Sequence, residues 1–320
     1  MLKKFWMKKI IVSSSALFAL LLLCLIPKNN TNKLKDIKQE VVYTVANENK
    51  HEIYLLDAYG YLARTTAAIA KNDVEKEAKD ILNTLIIGSA NESKIPNGFL
   101  GIIPADTKVS SIEFKDGIIK VNFSSNLLDV KKELEEKVIE AIVYNLTSIE
   151  GVEKVIIFVD NQILTKLPQT GINLPNTLDR SFGINKEYDL ESIKDINDVT
   201  IYYVGKYNNN EYYIPVTKYI NDNREKVEII IDELASSNVY NSNLMSYLNS
   251  NTKLMSIGKT VDKLELVFNS YILNNLTDND ILEEVIYTIA LSVKDNYDVD
   301  ELVFKVDNEE IYKTVMKTIE

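Results

Sequence analysis

His51 is the only imidazole in the 320-residue sequence, and Cys24 is the only thiol. Acyl transfer by a Ser or Cys nucleophile needs an imidazole beside it, so His51 is the one candidate base. It stands at the edge of a β-rich run, Glu52 to Leu56, where an exposed strand-start position is the expected role. One Cys and one His leave no zinc site of the usual kind and no internal disulfide. No GxxxxGK[ST] or GxGxxG run occurs, so neither a phosphate-cradling loop nor a cofactor is expected. Carboxylate pairs remain, because a glycan hydrolase needs only two acids about 5 to 10 Å apart. Asp160 and Asp307 are the acids that recur in equivalent positions, each before an Asn. Asp-Asn at the end of a strand is first a turn former. Tyr202, Tyr203, Tyr207, Tyr212, Tyr213 and Tyr219 would suit a sugar-stacking face, although strands favour Tyr for packing alone. The expectation is a protein that is not an enzyme, with peptidoglycan binding or modification kept as the alternative.

Charge narrows the partners. The chain carries 36 Lys and Arg against 47 Asp and Glu, a net −11. The first 27 residues hold four Lys and no acid, which leaves −15 on the rest. Such a body repels nucleic acid and anionic polymers, so no nucleic-acid partner is expected.

Those four Lys, Lys3, Lys4, Lys8 and Lys9, precede an uncharged run from Ile10 to Ile26 that ends at Pro27. As a helix the run spans about 25 Å, enough for a bilayer core if the lysines snorkel. The lysines hold its first end inside the cell and place the body outside. Three fates stand open: an uncleaved anchor, a lipidated Cys24, and ordinary cleavage. Leu21 to Cys24 resemble a lipobox, with Leu23 where a small residue is preferred. A cell-membrane location with a single N-terminal anchor follows, and residues 28–50 read as a polar tether.

Beyond the tether the sequence repeats itself. Ser111, Ile112, Ile119, Val121, Phe123, Ser125 and Leu128 match Ser256, Ile257, Leu264, Leu266, Phe268, Ser270 and Leu273. Downstream, Val138, Ile139 and Ile142 match Val285, Ile286 and Ile289, and Val159-Asp160-Asn161 matches Val306-Asp307-Asn308. Upstream, Ile53-Tyr54 pairs with Ile201-Tyr202, and Tyr61, Leu62 and Thr65 with Tyr213, Ile214 and Thr217.

Each copy opens with a strand, Glu52 to Leu56 or Thr200 to Val204. Val74, Ala78, Ile81, Leu82 and Leu85 then share one helix face, with Asp73 at its start. Asp116-Gly117 marks a hairpin, followed by alternation of Ile119, Val121 and Phe123 with polar residues. A second helix runs from about Lys131 to Ser148, and its partner from about Asp278 to Lys294 behind Thr277 as N-cap. Val152 to Val159 and Val299 to Val306 close the copies as strands. The expected fold is α+β: two tandem domains, each a three- to four-stranded sheet with two helices on one face. Residues 51–160 form the first domain and 198–320 the second. Between them, residues 161–197 contain Pro168, Gly171, Pro175 and Gly183. Leu167, Ile172, Leu174, Leu178 and Phe182 favour a strap over a free linker, because exposing them costs about 25 cal/mol per Å².

Several of these runs resemble one family. Tyr213 to Lys218 (YIPVTK) is similar to the early strand of the GerMN domain of the GerM family. Gly101 to Lys108, Phe114 to Gly117 and Asn122-Phe123-Ser124 resemble its later turn, hairpin and strand end. Leu178-Asp179-Arg180 with Ile184-Asn185 resembles the join between two such modules. The resemblance covers residues 52–320 and departs at Ala63-Arg64-Thr65, at Val261-Asp262-Lys263 and in the lipobox. It implies a ring-building type of fold and a structural role in the assembly joining mother cell and forespore, with a need for the protein in cortex formation or germination. Partners would be other anchored sporulation proteins or further copies of the chain. Ile156, Phe158 and Val303, on the opposite side of the last strands, are the candidate interface.

Overall fold

In the computed structural model, which describes residues 50–236, 243–275 and 279–316, the first repeat opens with a hairpin and not a lone strand. Strands β1 (His51–Asp57) and β2 (Leu62–Ala67) pair antiparallel along their whole length. Helix α1 (Val74–Leu85) follows; the Asp73 side chain accepts the Lys76 N–H at 3.0 Å and so satisfies an orphan donor of the first turn. Its buried face is the one the spacing requires: Ala78, Ile81, Leu82 and Leu85. After the short β3 (Phe99–Leu100), β4 (Val109–Lys115) and β5 (Ile118–Phe123) form the expected hairpin. Asp116 and Gly117 both take positive φ, 51° and 76°, as a two-residue turn matched to the strand twist demands. Helix α2 (Lys132–Leu146) then carries the chain across, so that β6 (Lys154–Val159) runs parallel to β5. Asp160 and Asn161, at φ 48° and 65°, turn it into β7 (Gln162–Ile163).

The connecting stretch is a strap. Leu167, Leu174 and Leu178 are buried in the first repeat's core, and Leu178 exchanges both backbone hydrogen bonds with Val155. It ends in β8 (Glu187–Asp189). The second repeat follows with β9 (Asn197–Tyr207), β10 (Asn210–Ile220), α3 (Lys226–Ala235), β11 (Leu254–Lys259) and β12 (Lys263–Phe268). Helix α4 (Glu283–Asn296), β13 (Glu301–Val306) and β14 (Glu309–Val315) complete it. Asp307 and Asn308 repeat the positive-φ turn at 50° and 65°. Helix α4 starts later than its apolar spacing suggests: before it the Asn274 N–H bonds the Asp280 carbonyl at 2.9 Å, and Asn279 has φ 50°. Thr277 lies outside the described residues, as do Cys24 and the uncharged N-terminal run. Among the described residues no helix is long and apolar enough to cross a membrane.

Each repeat owns a four-stranded sheet, β4-β5-β6-β7 or β11-β12-β13-β14, and its own apolar core. The opening hairpins do something else. They merge into one six-stranded sheet in which β2 lies beside β10, with Arg64 opposite Tyr213. The offset that relates Thr65 to Thr217 maps this pair onto Val216 opposite Tyr61, which is the same antiparallel register. The hairpins therefore meet about a local two-fold axis, an isologous contact inside one chain.

Candidate functional site

That seam between the repeats holds the densest polar chemistry of the described residues. It begins with the helices that support it. Asn145, in the last turn of α2, clamps β1: its Oδ1 accepts the Tyr54 N–H and its Nδ2 donates to the Tyr54 carbonyl, each at 2.9 Å. In α4, Ser292 Oγ accepts the Tyr202 N–H at 2.9 Å, and Asn296 grips Thr200 through both backbone groups. Tyr54 and Tyr202 are thereby held at matching places on the two sides, and their hydroxyl oxygens approach to 3.1 Å.

Around this contact lie two carboxylates and two guanidinium groups. Tyr54 Oη donates to Glu52 Oε1 at 2.6 Å, and Tyr202 Oη to Asp295 Oδ2 at 2.8 Å. Arg64 pairs with Glu52 at 2.9 Å, and Arg180 with Asp295 at 2.6 Å. Arg180 comes from the strap. Its guanidinium lies over the rings of Tyr54 and Tyr144, at 5.6 and 4.9 Å from their centroids, and approaches Glu52 at 3.9 Å. One strap residue thus touches an acid of each repeat.

Burial sets the protonation states. Burial alone would raise the Glu52 carboxyl, but Arg64, Arg180 and Lys294 together hold it well below the usual carboxylate range. Burial raises the hydroxyls of Tyr54 and Tyr202, so both stay protonated donors. Glu52 is consequently a fixed anion and no general acid. The arrangement orients and locks.

A second lock sits at Asn185, with φ 46°, behind Gly183 at φ 82°. A Cβ at Gly183 would meet the Tyr219 hydroxyl at 2.9 Å. The Asn185 side chain accepts the Leu62 N–H at 2.9 Å and donates to the carbonyls of Leu62 and Pro215, each at 2.8 Å. Pro215 lies in β10 between its pairing to β2 and its pairing to β8, the one stretch where a missing N–H costs no ladder bond. The Asn185 N–H in turn reaches Glu140 Oε2 of α2 at 2.9 Å. Burial raises the Glu140 carboxyl to about 7, against the pull of Lys186 and the Asn185 N–H.

The residues singled out by sequence lie mostly elsewhere. His51 is buried and not exposed: its Nδ1 sits 2.9 Å from Glu77 Oε1 and its Nε2 3.1 Å from Ser148 Oγ. The order Ser, His, Glu looks like a nucleophile relay, but the Ser148 hydroxyl donates to the Asn145 carbonyl at 2.7 Å and serves the end of α2. Alternating strand geometry hid this, because a strand's first residue is as often inward as outward. Tyr202, Tyr203 and Tyr212 are buried, so they form no sugar-stacking face; Tyr213 stacks on Tyr287 and Tyr219 on Tyr188. Asp160 and Asp307 are both turn residues. Ile156 and Phe158 are half-buried on the outer face of the first sheet, with Ile163 opposite Phe158 and exposed. Val303 is a correction: it is 1% exposed, flanked in its sheet by Glu265 and Lys313, and offers no surface.

Sequence reasoning missed Glu52, Arg64 and Asp295. Arg180 and Asn185 were visible only as members of the joining motif. The equivalence of Tyr54 and Tyr202 was the one available pointer to the axis.

Comparison with known proteins agrees with this architecture. The model of the Germane family, described as sporulation and spore germination, matches residues 42–165 and again 200–312. The chain is 33% identical over 262 residues to spore germination protein GerM of Bacillus subtilis (strain 168), covering 80% of this chain and 71% of that protein. A solved structure of the tandem GerMN domains of the sporulation protein GerM from Bacillus subtilis superposes with a TM-score of 0.73 at 31% identity, over 81% of this chain and 91% of that one.

Proposed function

The chain belongs to the Germane family of sporulation and spore germination proteins, and from that premise we propose that it is an anchored extracytoplasmic scaffold that acts by protein–protein assembly, without bond chemistry of its own. The observation that carries this reading is the joint. A shared sheet, an Arg180 that bridges two repeats and an Asn185 that bonds both hairpins support a rigid two-module body, whose surfaces hold a set spacing and orientation. An enzyme would instead keep an accessible acid or base, and the ionised Glu52 is committed to guanidinium groups. The anchor is the run from Ile10 to Ile26, as a membrane helix or through Cys24. The partners are other anchored sporulation proteins or further copies of the chain.

The two outer sheet faces divide the work. In the first repeat Ile118, Ile156, Phe158 and Ile163 share one face with Lys120, Asn122 and Lys154, Lys120 lying 3.8 Å from Glu113. The equivalent positions of the second repeat include Lys263, Val303 and Lys305, where Lys263 and Lys305 both pair with Glu265 and lower its carboxyl to about 2. The first face carries more apolar side chains beside its Lys120–Glu113 pair, and the second more ion pairs, so the first is the better suited to stable packing. Assembly therefore runs through the first repeat.

Deleting the gene and counting heat-resistant and germinating spores tests the role. Phe158→Glu tests the face, with the thermal midpoint of the purified protein kept as control. Loss of spore function with an unchanged midpoint is the expected result. A deletion without any spore phenotype, or co-sedimentation with peptidoglycan that survives Phe158→Glu, would replace the scaffold reading.

A further inference from the structure

We infer that residues 187–196 form a docking ridge for a second protein whose apolar groove is bordered by Lys and Arg. This rests on the reading of the chain as an assembly protein and adds one partner surface with its chemistry. All ten residues are exposed, and four of them are apolar: Tyr188 at 64%, Leu190 at 38%, Ile193 at 91% and Ile196 at 42%. Loops usually present polar tips, and apolar side chains held in water on an ordered loop are the mark of a contact surface.

The ridge is held in place. Asn221 spans it from below: its Oδ1 accepts the N–H groups of Glu191 and Ser192 at 2.8 and 2.9 Å, and its Nδ2 donates to the carbonyls of Ser192 and Lys194 at 3.1 and 2.7 Å. Tyr188 is stacked on Tyr219, with centroids 4.9 Å apart and planes 12° apart. The first three residues run as β8 beside β10. A side chain presented on a fixed backbone binds without the ordering penalty of a free loop. The segment also lies between the two stretches matched by the family model.

Charge names the occupant. Glu187 and Asp198 reach Lys218 and Lys226, but Asp189, Glu191 and Asp195 have no ion pair among the described residues, and Lys194 is the one cation of the segment. Exposed apolar side chains interspersed with unpaired acids are complementary to an apolar groove bordered by Lys and Arg. The unpaired acids of this segment repel an anionic lipid surface and the equally acidic segment of a second copy.

A photo-crosslinking residue at position 193 of the full chain, in sporulating cells, tests the proposal, with position 261 as control because Val261 is 87% exposed in the second repeat. The expected result is an ultraviolet-dependent adduct at 193 and none at 261. Mass spectrometry should place it on one protein, at an apolar site flanked by Lys and Arg. Leu190→Asp in the same chain should cut the adduct by roughly tenfold while leaving the thermal midpoint of the purified protein unchanged. Affinity for that purified partner should fall as salt rises from about 0.05 to about 0.3 M. No adduct at 193, equal adducts at both sites, an adduct to a second copy or to lipid, or indifference to Leu190→Asp would each overturn it. A spore defect on deletion that Leu190→Asp does not reproduce sinks the ridge alone; no defect on deletion sinks the scaffold reading beneath it.

Discussion

The hydroxyl oxygens of Tyr54 and Tyr202, 148 residues apart in the chain and equivalent in the duplication, lie 3.1 Å from each other. Each hydroxyl has a single proton, and each donates it to a carboxylate of its own repeat, Glu52 or Asp295. The contact is therefore the point where two half-networks abut across the local two-fold axis. Removing either hydroxyl leaves one buried carboxylate short of a donor.

Tyr54→Phe and Tyr202→Phe should each destabilise the protein by about 1.5 to 3 kcal/mol, the range for hydrogen bonds to charged groups. The double variant should lose less than the sum, because the two sites share Arg180. Urea unfolding of the four proteins measures the coupling. Strict additivity would show that the halves do not communicate.

Arg180→Ala leaves Asp295 buried without its guanidinium and should cost about 3 to 5 kcal/mol. Arg180→Lys should recover only part, since a point charge cannot reach Asp295, the Thr147 hydroxyl and two aromatic rings together. If the joint makes the repeats one cooperative body, calorimetry should change from one transition to two in Arg180→Ala. A single transition at a lower midpoint would limit Arg180 to general stability.

Glu140 gives the joint a pH dependence of definite sign. Its carboxyl stands near 7 in the folded protein against 4.5 ordinarily, so between these values the folded state binds more protons than the unfolded chain. Its stabilisation is complete below 4.5 and is lost as pH rises through 7. The total is roughly 3 kcal/mol at most. Glu52 acts oppositely, its carboxyl being lowered, and its stabilisation is lost only in stronger acid. Unfolding free energies at several pH values should be flatter for Glu140→Gln than for the parent across that window. Equal slopes would remove Glu140 as the cause.

His51 ties the start of β1 to α1 through Glu77 and to the end of α2 through Ser148. His51→Ala should cost about 1 to 3 kcal/mol, because it strands partly buried polar groups. A fluorophosphonate reagent, which labels activated serines, should leave Ser148 unmodified. Labelling that disappears in His51→Ala would make this trio a catalytic relay.

What the sequence determined by itself is local. Apolar spacing places α1 and the two hairpin sheets, and Asp116-Gly117, Asp160-Asn161 and Asp307-Asn308 mark turns because Asp, Asn and Gly tolerate positive φ. Duplication is legible because both copies keep the same apolar periods. Only the tertiary structure decided that the opening hairpins fuse into one sheet, that His51 turns inward and Val303 is covered on its outer face while Ile193 stays in water, and that Glu52, Arg64, Arg180 and Asp295 meet. Those contacts join residues far apart along the chain and leave no period to read. Their partners are chosen by which repeat faces which, a choice made by packing about the two-fold seam and not by the propensity of any segment.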